Sequence, residues 1–142
     1  MANDPSYDRF VGLWELDPAQ SDYQVGTPPQ TGLYRIAPDA KGTGYMISMN
    51  WTDAQGRESY AAYTALPDGV QYAYENSDVA DFISMTRLDE YTLDSAIIKG
   101  GRRIAYSLRE LSDDGQAMTI TQSGFAPDGT PFDNRSVYVR QA

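Results

Sequence analysis

Histidine and cysteine are both absent from the 142 residues. Without cysteine there is no disulfide and no thiolate metal site. Without histidine the commonest general base, the commonest metal ligand and every Ser-His-Asp arrangement are excluded. Lysine is nearly missing as well: Lys41 and Lys99 are the only two, and 11 basic residues face 20 acidic ones for a net charge of −9. Such a surface repels phosphate backbones, which excludes nucleic acid as a partner. No apolar run approaches the roughly 20 residues of a membrane-spanning helix. The start, "MANDPSYDRF", has neither the basic nor the apolar region of a secretory leader. The expectation is therefore a cytoplasmic protein without membrane insertion. Phosphate loops and dinucleotide fingerprints are missing, so no cofactor is expected. Acidic turns such as Asp113-Asp114-Gly115 lack the spacing of a calcium loop and read as hairpin turns; no metal is expected either.

What the chain does have is tyrosine, 11 of them, and a regular alternation of strand and turn signals. Runs rich in β-branched and aromatic residues recur about every ten residues: Tyr45–Thr52, Arg57–Ala65, Val70–Glu75, Asp81–Leu88, Tyr91–Lys99, Arg102–Leu111, Gln116–Ser123 and Phe132–Arg140. Phe10–Leu16 and Leu33–Ala37 bring the total to about ten. Between them lie "DAQG", "LPDG", "NSD", "DE", "GG", "SDDG" and "GFAPDG", and a short helix over Pro18–Tyr23 fits the one long gap. No segment sustains a helical period and no linker interrupts the pattern, so residues 1–142 read as a single domain. About ten hairpin-linked strands in a chain this small must close on themselves or expose long edges. The predicted fold is all-β, an antiparallel up-and-down meander closed into a barrel of about eight to ten strands.

Turn chemistry also predicts which side chains share a face. A bulge at Gly56 aligns Tyr45, Ile47, Met49 and Trp51 with Ser59, Ala61 and Tyr63. A three-residue turn ending at Gly115 sets Tyr106 and Leu108 beside Ile120 and Gln122, and the Gly100-Gly101 turn adds Leu93, Ser95 and Ile97. An Asp89–Glu90 turn brings in Phe82, Ser84 and Thr86. That face is apolar and aromatic with scattered hydroxyls and is expected to point inward. Arg87, Asp94, Arg103 and Arg109 then point outward.

The stretch "GLW", Gly12 to Trp14, together with the meander and Arg140 in "SVYVRQ", resembles the calycins, the group of lipocalins and fatty-acid-binding proteins. The resemblance implies that Trp14 plugs one end of the barrel with Arg140 across its ring and Gly12 leaving room. The wider pattern "W-x-L-D-x-A-x-S-x-Y" (Trp14 to Tyr23), with "RLDEYTLD", "SDDG" and a terminal "N-x-x-V-Y-x-R-Q", is similar to small bacterial lipocalin-like domains of largely unassigned function.

Inward hydroxyls and amides suit a cavity better than a dry core. The expected wall contains Tyr45, Met49, Trp51 and Tyr63 from the first half of the chain. Phe82, Ser84 and Tyr106 follow, then Ile120, Gln122, Asn134 and Tyr138. The leading reading is binding of a small, mostly apolar molecule, aromatic or terpenoid-like. A second is an isomerase, cyclase or lyase using the same cavity, with Glu110 and Tyr106 as the acid–base candidates. A third is a filled barrel that serves as an interaction module. Composition leaves the oligomeric state open.

Overall fold

The computed structural model describes residues 8–24, 26–75, 80–125 and 128–141. The turns expected at Asn76–Asp78 and around Ala126–Pro127 fall wholly or partly outside that set. Ten strands follow one another: β1 (Gly12–Tyr23), β2 (Thr31–Pro38), β3 (Tyr45–Thr52), β4 (Glu58–Ala65), β5 (Asp68–Ala73), β6 (Phe82–Asp89), β7 (Thr92–Lys99), β8 (Arg102–Leu111), β9 (Ala117–Phe125) and β10 (Pro131–Arg140). All belong to one antiparallel sheet in the order β4-β3-β2-β1-β10-β9-β8-β7-β6-β5. Pairing of β1 with β10 joins the two ends of the chain. The remaining edges, β4 and β5, are bridged through Tyr63 and Tyr74 and by the Glu75 amide donating to the Ala62 carbonyl at 2.9 Å. The result is a nearly closed barrel. No described helix is long and apolar enough to cross a membrane.

One end is sealed as the Gly-x-Trp stretch implies. Trp14 is paired with Arg140, whose guanidinium carbon lies 4.3 Å from the centre of the indole. The indole Nε1 donates to the Phe10 carbonyl at 3.0 Å. Arg140 donates from Nη1 to the Val11 carbonyl (2.8 Å), from Nη2 to that of Arg9 (2.5 Å) and from Nε to that of Gly115 (2.9 Å). A Cβ on residue 12 would sit 2.4 Å from Arg140 Nη1, so only glycine admits the guanidinium. Beside this plug, Tyr45 and Arg87 both reach the carboxylate of Asp8.

Much of the acidity of the chain is spent on turns. Asp53 Oδ1 accepts from the amides of Gln55 and Arg57 (both 2.9 Å), Asp68 Oδ1 from that of Val70 (3.0 Å) and Asp128 Oδ1 from that of Thr130 (2.9 Å). These backbone donors hold all three carboxyls below the ordinary aspartate value of 3.8. A depressed carboxylate stabilises the fold above its unfolded pKa, and that stabilisation is lost as pH falls through the folded one. Stability should therefore be level from about pH 8 to 5 and decline below about pH 4. Urea midpoints across that range check this; an unchanged midpoint at pH 3 would contradict it.

Three strand registers differ from expectation, each by one residue. At the β6–β7 hairpin the turn is Glu90–Tyr91, and the register slips between Arg87 and Asp89. Ile83 and Met85, not Phe82, Ser84 and Thr86, therefore oppose Ile97 and Ser95. At β7–β8 the Gly100-Gly101 turn forms as expected, with φ of +60° and +76°. A bulge at Ile104 follows it, so Ile97 pairs with Ala105. At β8–β9 the Ser112 amide donates to the Ala117 carbonyl at 2.9 Å, which makes that loop four residues long. Because side chains alternate along a strand, one residue inverts a face. Ala105, Ser107, Arg109 and Leu111 are buried, while Tyr106 is 45% exposed and Glu110 is exposed too. The expected short helix over Pro18–Tyr23 is instead the end of β1. There Ser21 Oγ takes the Val137 amide at 3.1 Å across an irregular pairing with β10.

Candidate functional site

The cavity occupies the half of the barrel opposite the Trp14 plug and encloses about 430 Å³, within the range of small-molecule sites. Its mouth is framed by Thr27, Pro29, Trp51 and Asp53. One side is apolar, built from Met49 on β3, Ile83 on β6 and Ile97 on β7. The other carries Ser107 and Arg109 on β8, Ile120 and Gln122 on β9, and Ser136 and Tyr138 on β10.

Arg109 dominates the floor. The bulge at Ile104 turns it inward, where it is only 4% exposed. Nη1 donates to Ser95 Oγ at 2.7 Å, Nη2 to the Tyr63 hydroxyl at 2.8 Å, and Nε to the Tyr34 hydroxyl at 3.1 Å; Nη2 also donates to Tyr34. Every one of these partners is neutral. Among the described residues no carboxylate lies within ion-pairing distance of Arg109. Burial works against its charge, but the oxygens of Tyr34 and Tyr63 outweigh burial and hold its pKa above the ordinary arginine value. Burial pushes the phenols of Tyr63, Tyr74 and Tyr138 up, so they remain neutral hydrogen-bond donors at pH 7. Tyr138 packs edge-on against Tyr34, with ring centres 5.5 Å apart, and Tyr74 lies 5.2 Å from Tyr63. A fixed positive charge is thus ringed by phenols and faces a cavity that opens at its mouth.

Six of the residues expected on the wall line this cavity: Met49, Trp51, Tyr63, Ile120, Gln122 and Tyr138. Five do not. Tyr45 faces inward but is tied to Asp8 beside the plug. Asn134 at the mouth accepts from the Gln24 amide at 3.0 Å. Phe82, Ser84 and Tyr106 lie on the outer surface because of the two register shifts. The same inversion turns Glu110 outward, so neither acid–base candidate reaches the cavity. Among the described residues the one acidic side chain lining it is Asp53 at the mouth, whose carboxylate is engaged by Arg57 at 2.9 Å. Sequence reasoning missed Arg109, Tyr34 and Ser107. The signal was the run Ala105, Ser107, Arg109 and Leu111, whose small and polar members look outward-facing beside Tyr106 and Leu108.

No protein-family model and no curated protein matches the chain. Among solved structures it is similar to the zebrafish ileal bile acid-binding protein complexed with cholic acid. That likeness has a TM-score of 0.59 and 11% sequence identity and covers 94% of this chain and 100% of the other. What the likeness shows is the fold, which in this chain is a nearly closed barrel of ten antiparallel strands.

Proposed function

We propose that the protein binds a small amphipathic anion, with its acidic head on Arg109 and its apolar body between Met49, Ile83 and Ile97. The observation that carries this reading is the buried guanidinium of Arg109 without a counter-ion among the described residues. Bringing a charge out of water is costly unless a partner of opposite sign completes it. A carboxylate or sulfonate supplies that partner through short, charge-assisted bonds, with the neutral phenols of Tyr74 and Tyr138 as further donors. The rings around the cavity suit an aromatic or terpenoid-like body. Cholic acid, bound by the zebrafish barrel, is itself an amphipathic acid and supports the class. In this reading the protein is a cytoplasmic carrier of that anion.

Trp51 stands at the mouth and Trp14 is fully buried in the plug, so the two report on different places. Titration with fatty, aromatic and terpenoid carboxylates should change Trp51 emission and leave Trp14 emission nearly constant. The Trp14→Phe variant should keep the response and Trp51→Phe should lose it. No response from any acid of the panel, or a response that survives in Trp51→Phe, would overturn the proposal.

A further inference from the structure

We infer that the ligand carries a second polar group, a hydroxyl or carbonyl beyond its acidic head, and that Ser107 and Gln122 select for it. The inference rests on the anion reading above and narrows it to oxygenated acids. Ser107 and Gln122 are direct cross-strand partners on β8 and β9, and both line the cavity. Each lies two residues along its strand from the floor pair of Arg109 and Ile120, on the side of the mouth. That places them about 7 Å from the head-group level.

Their polar atoms are uncommitted. Arg109, Tyr34, Tyr63 and Ser95 are bonded to one another, and Ser136 is bonded to Tyr23 at 2.9 Å. Neither the Ser107 hydroxyl nor the Gln122 amide has a side-chain hydrogen bond to any described residue. Ser107 is nevertheless 95% buried, since 5% of it is exposed. No sealed polar side-chain atom lacks a partner among the described residues, so these two groups open onto the cavity. A plain alkyl chain leaving Arg109 would cover both and strip them of water without replacing its hydrogen bonds. A hydroxyl or carbonyl at that level would satisfy them: Ser107 both donates and accepts, and Gln122 does the same through its two ends. Sites built to bond a substrate hydroxyl discriminate strongly against the analogue that lacks it. Ile83, Met49 and Ile97 offer nothing equivalent on the other side, so the oxygenated edge of the ligand faces β8 and β9.

The test compares hexadecanoic acid with 7-hydroxyhexadecanoic acid, whose hydroxyl falls at that level when the carboxylate sits on Arg109, by calorimetric titration of the wild-type protein, the Ser107→Ala/Gln122→Leu double variant and the near-isosteric Gln122→Met variant. The double variant should shift selectivity at least tenfold towards the plain acid. The shift should come from weaker binding of the hydroxy acid, with affinity for hexadecanoic acid kept or improved; Gln122→Met should shift the same way by a smaller factor. Unchanged selectivity in proteins that still bind hexadecanoic acid would overturn the inference and leave the anion reading standing. Equal loss of both acids in Gln122→Met would also overturn it, by making the residue structural. If the wild-type protein binds neither acid, the anion reading itself fails.

Discussion

Replacing Arg109 with methionine should abolish anion binding while leaving the empty protein as stable as before, or more so. The guanidinium is withdrawn from water and offset, among the described residues, by the neutral hydroxyls of Ser95, Tyr34 and Tyr63 and by the face of the Tyr34 ring. Replacing a buried ion pair with apolar side chains is often neutral or stabilising, by about 1–4 kcal/mol, because the desolvation cost disappears, and a buried charge facing only neutral partners carries the same cost. Methionine fills irregular space, and the tyrosines it would leave behind still border the cavity and its water. A ligand acid, by contrast, would lose its charge-assisted bonds, and affinity should drop about 100-fold or more, since such bonds contribute about 1.5–3 kcal/mol each. Higher stability combined with lost binding is the mark of a residue kept for function. Urea unfolding and calorimetric titration of the same preparation read both halves. A loss of stability beyond about 2 kcal/mol would mean that Arg109 holds the barrel together and that its charge is structural.

The largest loss of stability is expected for Trp14→Ala, at about 3–5 kcal/mol. Three features make this position costly. The side chain is fully buried among Phe10, Tyr34 and Ile36, so its removal leaves a void that a closed barrel cannot collapse. Its Nε1 anchors the Phe10 carbonyl, and with it the segment that caps the barrel. Its ring also carries Arg140, which ties β10 to the Arg9, Val11 and Gly115 carbonyls. Trp14→Phe should lose much less, because the ring volume is largely kept while the indole bond is not. Chemical denaturation of the two variants measures the difference. A loss under 1 kcal/mol for Trp14→Ala would show that the plug is dispensable.

The fold was legible because its signals are local. The Gly100-Gly101 pair, the bulge at Gly56 and the aspartates at hairpin ends each mark a turn by themselves. "GLW" and the terminal arginine mark the strands that must meet when the meander closes. The alignment of Met49 and Trp51 with Ala61 and Ser59 follows from the Gly56 turn alone. The site was only half legible because its decisive feature is not local. Nothing in "RRIAYSLREL" announces that Ile104 is an extra residue. A bulge depends on how β8 twists against β7 and β9 together. One unforeseen residue there exchanged Tyr106 for Ser107 and Glu110 for Arg109, which changes the chemistry from a possible acid–base pair to a buried cation. The expected residues that line the cavity sit on strands whose turns formed as expected, as with Met49 and Trp51, or were unaffected by the slip, as with Ile120, Gln122 and Tyr138.

The anion reading turns on charge rather than on greasiness, and the two separate in one experiment. Dodecanoic acid and dodecan-1-ol present the same chain to Met49, Ile83 and Ile97 and differ in what they offer Arg109. Calorimetric titration of the wild-type protein at pH 8, where the acid is ionised, compares them directly. The buried guanidinium predicts that the acid binds at least about 100-fold more tightly than the alcohol, because only the acid completes the ion pair. Equal affinity for the two would contradict the account: the cavity would then be an apolar slot, and Arg109 a bystander within it.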